Sequence, residues 1–508
     1  MKKEKNLIIF AMLLILVTGF FLRFYKIGEK SLAIDEFLDI NAVYGYHKTG
    51  NWHAWDFNIE APSVDDVRVA RDERSIVYRW QVVQMLKIFP LNETTVRLVS
   101  IFWGMISIIT IYFVGAYFSG KKQVGVLSGF FLAINSSAIQ ADQTVRMYAM
   151  FIPVFLLFSW SFFIFLEEKY VGNNNFLKKV NGQTGLNILW FFPTLFLGLL
   201  SLKTHDLTVN IVFVLVVYFL FQIYFSIKNK EGLYKKYIIL TIGAVILGGM
   251  ACLFFWEFVS GKLGSLYFFM SNFSYLSKLS IDYNSYLIVI FFIFFGIYFS
   301  KKNELIKNKI IWVALCYFVI LLTAIFLWHH KPTGRYLYFI KPFEIILLSI
   351  GVYYFADFMR IKFRKNKNIF MGVVVFILIF VPNYTCFFIK DGIYRKNYLE
   401  DEMDYKKIYG YVVKNRDKND VLITRRGRNY YWRDQNIKIY SIATDINRVK
   451  LSSEELQKII LDNDGGWIVF SKDDKKNIKK GTLKYMENNL EKIEIEGMGE
   501  GEVFRWKK

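Results

Sequence analysis

Apolar runs of about 17–25 residues recur along most of this chain, the length an α-helix needs to cross about 30 Å of bilayer hydrocarbon. Leu7 to Leu22 is one such run, and Ile369 to Phe388 is another, with Asn383 near its end. Short Lys-rich hinges separate them. Lipid offers no partner for a free backbone N–H or C=O, so segments apolar on every side have to be helices. Candidate spans cover residues 7–24, 95–118, 123–140, 147–166, 188–202, 206–226, 237–257, 285–300, 310–328, 336–358 and 369–388. The fifth and eighth are short. The expected fold is a polytopic α-helical membrane protein of about 11 spans.

Charge gives an orientation. The chain carries 64 Lys and Arg against 43 Asp and Glu, a formal +21. The cations mostly flank apolar runs, which is a membrane orientation signal and not a nucleic-acid footprint. With Met1 placed inside, the cytoplasmic hinges become Lys121–Lys122, residues 167–186 with Lys178 and Lys179, 228–236, 301–309 and 360–367, all basic. The short outer hinges near Gln143, Lys203 and His329 are poorer in Lys. The N-terminus is therefore expected in the cytoplasm, with the first apolar run as an uncleaved span. Cys252, Cys316 and Cys386 fall inside apolar runs and read as small buried hydrophobes.

Two outer regions are large. Residues 25–92 form a long first outer loop with an acidic and basic stretch from Asp65 to Arg74. It is too long for a hinge and suits short interfacial helices, and Trp52, Trp55 and Trp80 suit an aromatic belt. From Asp391 to Lys508 charge rises and apolar runs shorten. Val421–Thr424, Ile437–Tyr440 and Gly466–Phe470 read as strands, and Ser452–Leu461 as a helix capped by Ser452 with Glu455 three residues on. The chain thus divides into a membrane part, 1–390, and a small C-terminal α/β domain outside the cytoplasm, 391–508. The second part shows no glycine-rich nucleotide fingerprint. Arg425, Arg426 and Tyr430 to Trp432 suit sugar stacking, though a packed accessory domain with exposed rings explains them as well.

Chemistry-bearing residues gather on the outer side. Asp35–Glu36 follows the first span by about a dozen residues, Arg146-Met147-Tyr148 opens the fourth span, and Thr204–His205 lies between the fifth and sixth. His329–His330 and Arg335–Tyr336 lie between the ninth and tenth. Taken singly each has an ordinary explanation: a solvated acidic pair, a snorkelling Arg, a polar helix cap. Taken together they place carboxylates and guanidiniums beside lipid on one face, and ionisable groups at membrane depth point to function. A sugar carried on a lipid phosphate fits this set. Its leaving group is already an anion, so it needs cations rather than a general acid, and the attacking hydroxyl needs one base.

These residues also carry a family resemblance. Residues 23–36, Val96-Arg-Leu-Val-Ser100 leading into Gly104, Gln143–Tyr148, Thr204–His205 and Arg335–Tyr338 resemble the GT-C glycosyltransferases that use polyprenyl-phosphate sugars. The likeness is to the protein O-mannosyltransferase and lipid A aminoarabinose transferase group and covers residues 1–390. It implies inverting sugar transfer from a polyprenyl-phosphate donor to a lipid or protein acceptor at the outer face. By the same resemblance Asp35 is the base with Glu36 beside it, and Arg146 and Arg335 lie near the lipid phosphate. Tyr148, His205 and Tyr336 line the donor site. The stretch from Asp72 to Trp80 departs from the family by lacking a His-Pro-Pro-type segment. Asp35, Glu36 and Asp39 offer oxygens for a divalent metal, but no cofactor is expected. Two rival readings remain: a flippase or transporter, which favours midplane charges and inverted repeats, and a surface-polysaccharide polymerase or ligase. The sugar, acceptor and oligomeric state are not legible.

Overall fold

The computed structural model describes residues 2–57, 60–62, 75–228, 234–254, 256–257, 260, 271–301, 303–329, 332–363, 366–388, 393–394, 403–425, 431, 437–442 and 450–508. The stretch from Asp65 to Arg74, His330, Arg426, Tyr430 and Trp432 lie outside the described residues. Two compact units emerge from the backbone contacts. One comprises Met1–Arg23, Ile101–Asp142 and Met147–Cys386, the other Phe24–Ser100, Gln143–Arg146 and Phe387–Lys508.

Helices dominate the first unit. Across the described residues, seven helices are long and apolar enough to span: Glu4–Phe24, Glu93–Ser119, Tyr148–Glu167, Asp206–Lys228, Lys236–Phe254, Ile306–Phe326 and Gly334–Lys362. Two pairs meet the same test jointly but are bent, Lys122–Ala133 with Ser136–Asp142 by 65° and Asn175–Thr184 with Ile188–Thr204 by 98°. Tyr286–Ser300 and Asn368–Phe380 are shorter apolar helices. Every apolar run picked out in the sequence coincides with one of these elements. The chain is a polytopic helical membrane protein, and among the described residues length and composition support seven to nine crossings.

The first bent pair shows how a polar break survives among apolar helices. Residues 136–142 are all buried, so the groups freed at the break need partners inside the protein. Arg23 supplies them at one end. Its Nη1 donates to the carbonyl of Ala133 at 2.9 Å and its Nη2 to that of Leu132 at 3.2 Å. Its Nε donates to Asp142 Oδ2 at 2.7 Å, a pair with almost no solvent access. Asn135 caps the short helix by accepting from the Ala138 N–H at 2.9 Å. Gly104 makes room for the pair, because a Cβ there would run into the Asp142 carboxylate and lie 2.9 Å from Arg23 Nε. Elsewhere Gly296 and Gly351 let two helices touch backbone to backbone, as small residues do between membrane helices.

The second unit joins the first loop to the C-terminal segment. The loop folds into helices Ile34–Thr49 and Ile76–Leu86, with a small antiparallel hairpin of β1 (Trp55–Asp56) and β2 (Ala61–Pro62). Trp55, read from sequence as part of an interfacial belt, is 6% exposed and packs edge-on against Tyr44, so it is a core residue. Trp80 is exposed. The C-terminal sheet contains β3 (Val421–Thr424), β4 (Ile439–Ser441), β5 (Gly465–Ser471), β6 (Glu491–Lys492) and β7 (Gly501–Lys507), in the order β4-β3-β5-β7-β6. β3 runs parallel to β4 and β5, while β7 is antiparallel to β5 and β6. Ser452 accepts from the Glu455 N–H and starts helix Ser453–Asp462, as its spacing suggested. The C-terminal segment meets the loop through aromatic contacts from Tyr405 and Tyr431, outside the sheet. Phe37 packs edge-on against Tyr405 and Tyr431, and Tyr431 Oη accepts from the Leu32 N–H at 2.9 Å.

Gly104→Ala is expected to cost about 1–3 kcal/mol by overpacking, seen as a lower melting temperature in detergent. Gly243→Ala, where an added Cβ meets nothing within 4 Å, is expected to leave it unchanged or raise it. Equal melting temperatures for wild type and Gly104→Ala would remove the packing role.

Candidate active site

Three carboxylates lie on the first turns of one helix in the second unit. On helix Ile34–Thr49, Asp35 and Asp39 stand one turn apart on one side, and Glu36 points about 100° away. The three have different surroundings. Glu36 is fully buried. Its Oε1 accepts from Arg97 Nε at 3.0 Å and from the Val145 N–H at 2.8 Å, and its Oε2 from Arg97 Nη2 and the Ala33 N–H, both at 2.9 Å. Arg97 spends its remaining donors on backbone: Nη1 reaches the carbonyls of Ile27 at 2.7 Å and Lys30 at 3.0 Å, and Nη2 that of Ser31 at 3.1 Å. The pair therefore ties residues 27–36 to helix Glu93–Ser119 and to the short segment Gln143–Arg146.

Asp39 is equally buried and also held. Its Oδ1 accepts from Arg79 Nε at 2.6 Å and its Oδ2 from Arg146 Nη1 at 2.8 Å. Asp35 differs. Its side chain is 24% exposed, and its Oδ2 lies 3.7 Å from Arg146 Nη2, beyond hydrogen-bond reach. Arg146 itself is 17% exposed at the side chain and also touches the Asp35 carbonyl at 3.4 Å. Ser100 closes the same segment, accepting or donating with Tyr78 Oη at 2.6 Å and donating to the Thr144 carbonyl. Nearby, burial and then the charge of Arg97 push the Lys30 ammonium down to about 7, against the pull of Glu36. Lys30 donates to the Ile393 carbonyl.

The first unit holds the other expected residues. His205 ends helix Phe191–Thr204, and its Nδ1 accepts from the Leu207 N–H at 3.1 Å. That bond leaves Nε2 to carry the ring proton in the neutral imidazole. Its ring stacks on Phe151 at 5.1 Å and leans on Tyr148 at 5.2 Å. Tyr148 meets Tyr338 edge-on at 6.4 Å. Arg335 is the second residue of the 3-10 helix Gly334–Ile340, half-buried, with its guanidinium 5.5 Å from the centre of the Tyr336 ring. So the structure gathers Asp35, Glu36 and Arg146 in one unit, Tyr148 with His205 in the other, and Arg335 with Tyr336.

Sequence reading assigned no role to several residues that the structure makes prominent. Arg97 enters only within a resembling segment and Arg79 only within the departing stretch Asp72 to Trp80. Asp282, between two candidate spans, and Lys341 and Glu344, inside the candidate span 336–358, carry no reading from sequence, and all three are buried. Lys341 Nζ lies 2.6 Å from Asp282 Oδ2 and 3.2 Å from Glu344 Oε2, and donates to the Leu279 carbonyl at 2.9 Å. Burial would raise the Asp282 carboxyl, but Lys341 and the Ser136 and Ser137 donors outweigh it and hold it below its ordinary value. Their signal was Ser136–Ser137 inside an apolar run, small polar residues that need an acceptor in lipid. As for metal, no cluster of three or more candidate ligands occurs among the described residues. Glu36 and Asp39, weighed as ligands, present their oxygens to guanidiniums.

No protein-family model and no curated protein matches the sequence. Solved structures do. ArnT, the lipid A aminoarabinose transferase, from Cupriavidus metallidurans bound to undecaprenyl phosphate aligns with a TM-score of 0.58 at 11% identity, covering 97% of each chain. The archaeal oligosaccharyltransferase AglB from Archaeoglobus fulgidus, in complex with an inhibitory peptide and a dolichol-phosphate, aligns at 0.58 and 8% identity, covering 92% of this chain and 69% of that one. Both are GT-C superfamily members. The chain has the GT-C fold. That likeness takes in the membrane helices and the C-terminal sheet, since the ArnT alignment leaves out only 3% of this chain's length.

The unequal surroundings of neighbouring carboxylates give a direct test. Glu36→Gln leaves the buried Arg97 uncompensated and is expected to cost about 3–5 kcal/mol. Asp35→Asn is expected to stay within about 0.5 kcal/mol of wild type. Thermal unfolding of the two purified variants distinguishes them, and similar losses would show that Asp35 is also a structural anchor.

Proposed function

We propose that this protein is a membrane glycosyltransferase that moves a sugar from a polyprenyl-phosphate donor to an acceptor hydroxyl on the outer face, with inversion. The observation that carries this reading is the state of Asp35. Of three carboxylates on one helix, it is the one with solvent access and with a cation nearby but outside hydrogen-bond reach. Solvent access lets an acceptor hydroxyl approach Asp35, which the burial of Glu36 and Asp39 denies to them. The structures sharing the fold support the donor class, because ArnT was solved with undecaprenyl phosphate and AglB with a dolichol-phosphate. The basic hinges support a cytoplasmic N-terminus and an extracytoplasmic segment 391–508.

The chemistry is a single displacement. The acceptor oxygen attacks the anomeric carbon as Asp35 takes its proton. The bond from that carbon to the phosphate oxygen breaks, and polyprenyl phosphate leaves as the anion. Arg335 binds that phosphate, since a guanidinium offers paired N–H donors to its oxygens. Arg146, 3.7 Å from the Asp35 carboxylate and in contact with its carbonyl, holds Asp35 in place. Glu36 positions the turn that carries Asp35. Tyr148, His205 and Tyr336 line the donor site, where aromatic faces stack on sugar or flank the polyprenyl chain. The sugar and the acceptor, lipid or protein, follow from glycans lost on deleting the gene. The bent helix pairs are also a feature of transporters, and substrate crossing the bilayer unmodified would favour that reading.

Asp35→Asn is expected to lower sugar transfer by about 100-fold or more at unchanged expression and membrane insertion. Undiminished transfer would end its role as base. Arg335→Ala is expected to weaken binding of undecaprenyl phosphate more than binding of acceptor, measured by separate titrations in nanodiscs, and equal donor affinity would end its phosphate role.

A further inference from the structure

A second buried charge cluster stands apart from the residues used so far. Asp282 lies just before helix Tyr286–Ser300, and Lys341 and Glu344 open helix Lys341–Lys362. All three have almost no solvent access. The Lys341 ammonium donates to the Leu279 carbonyl at 2.9 Å and pairs by charge with Asp282 at 2.6 Å and Glu344 at 3.2 Å. On the other side Asp282 Oδ1 accepts from Ser136 Oγ at 2.6 Å and from the Ser137 N–H and Oγ, both at 2.8 Å. Asp282 thereby caps the buried helix Ser136–Asp142 and ties it to Lys341.

The location gives the cluster its meaning. Lys341 follows directly on the 3-10 helix Gly334–Ile340, whose second residue is Arg335. Helices Ser136–Asp142 and Tyr148–Glu167 both pack on that 3-10 segment. Tyr338, in its middle, lies in the electrostatic field of both Asp282 and Arg335. A stretch in 3-10 geometry has poorer internal hydrogen bonds than an α-helix, so its position depends on what anchors its ends. A buried ammonium held by two carboxylates and a carbonyl is such an anchor.

We propose that Asp282, acting through Lys341, is a positioning residue that sets the place of the Arg335 segment for phosphate binding. This rests on the reading of Arg335 given above. Neither Asp282 nor Lys341 touches the donor, and their effect passes through the 3-10 helix.

Full-length protein in nanodiscs, titrated with undecaprenyl phosphate, tests it. Asp282→Asn is expected to weaken binding about tenfold. In an Arg335→Ala background the same change is expected to alter affinity by less than about twofold, because the group it positions has gone. A full additive loss in that background, or wild-type affinity in Asp282→Asn, would overturn the inference. Removing one member of a buried pair can unfold a protein, so Asp282→Asn with Lys341→Met, which removes both charges, is measured alongside. It is expected to melt near wild type and still bind weakly, and wild-type affinity there would also overturn the inference. Should Arg335→Ala alone bind the probe like wild type, the phosphate role of Arg335 fails and this inference falls with it. Additivity, by contrast, removes the inference and leaves that role standing.

Discussion

One guanidinium, that of Arg97, shapes the carboxylate turn. Its five N–H groups end on Glu36 and on the carbonyls of Ile27, Lys30 and Ser31. Burying such a pair costs several kcal/mol of lost hydration, and the cost is offset only when every donor and acceptor is matched. Here they are matched, and Glu36 adds the N–H groups of Ala33 and Val145. The result is an irregular loop held as firmly as a helix. Its end is the first turn of the helix that carries Asp35. Arg rather than Lys is required, because only a planar fork reaches five acceptors at once.

The membrane unit applies the same rule. Lipid cannot satisfy a broken helix, so a break survives only where protein supplies partners. At the break between Ala133 and Ser136 one cation, Arg23, takes the last carbonyls, and one anion, Asp282, takes the first N–H. The signs agree with the helix dipole: a cation at a C-terminus and an anion at an N-terminus. Each of these charges has a buried partner in turn, Asp142 and Lys341. Two ion pairs thus hold a seven-residue helix, Ser136–Asp142, at either end. Gly104 is small for the same reason, since the Arg23–Asp142 pair fills the space a side chain would take.

The sequence shows the helices plainly because hydrophobic length is a one-dimensional signal. Leu7 to Leu22 is visible without knowing its neighbours. The bends were not visible, because Ser136 and Ser137 look like tolerated small residues until an acceptor is known to face them. Lys341 was hidden for a similar reason. A lysine at the end of an apolar run normally snorkels to water, and nothing local distinguishes one that is buried against two carboxylates. In the C-terminal segment β3, β4 and β5 were legible from short β-branched runs, but β7 was not. Its residues, Gly501–Lys507, place Arg505 between Phe504 and Trp506, so charge masks the alternation.

Asp35 and Glu36 show where adjacency in sequence misleads. Read in a line they are one acidic pair. On a helix they point about 100° apart, and everything that separates them follows from that turn. Glu36 faces Arg97 and the backbone of two segments, where its charge is neutralised completely. Asp35 faces the side shared with Asp39, where Arg146 is already bonded to Asp39 at 2.8 Å and stands 3.7 Å from Asp35. Arg146 therefore serves two carboxylates unequally. Asp39, paired with Arg79 as well, fixes where the guanidinium sits. The more distant Asp35 experiences its charge without giving up its lone pairs to it. The same helix thus carries two carboxylates closed off by guanidiniums and one, Asp35, that reaches solvent.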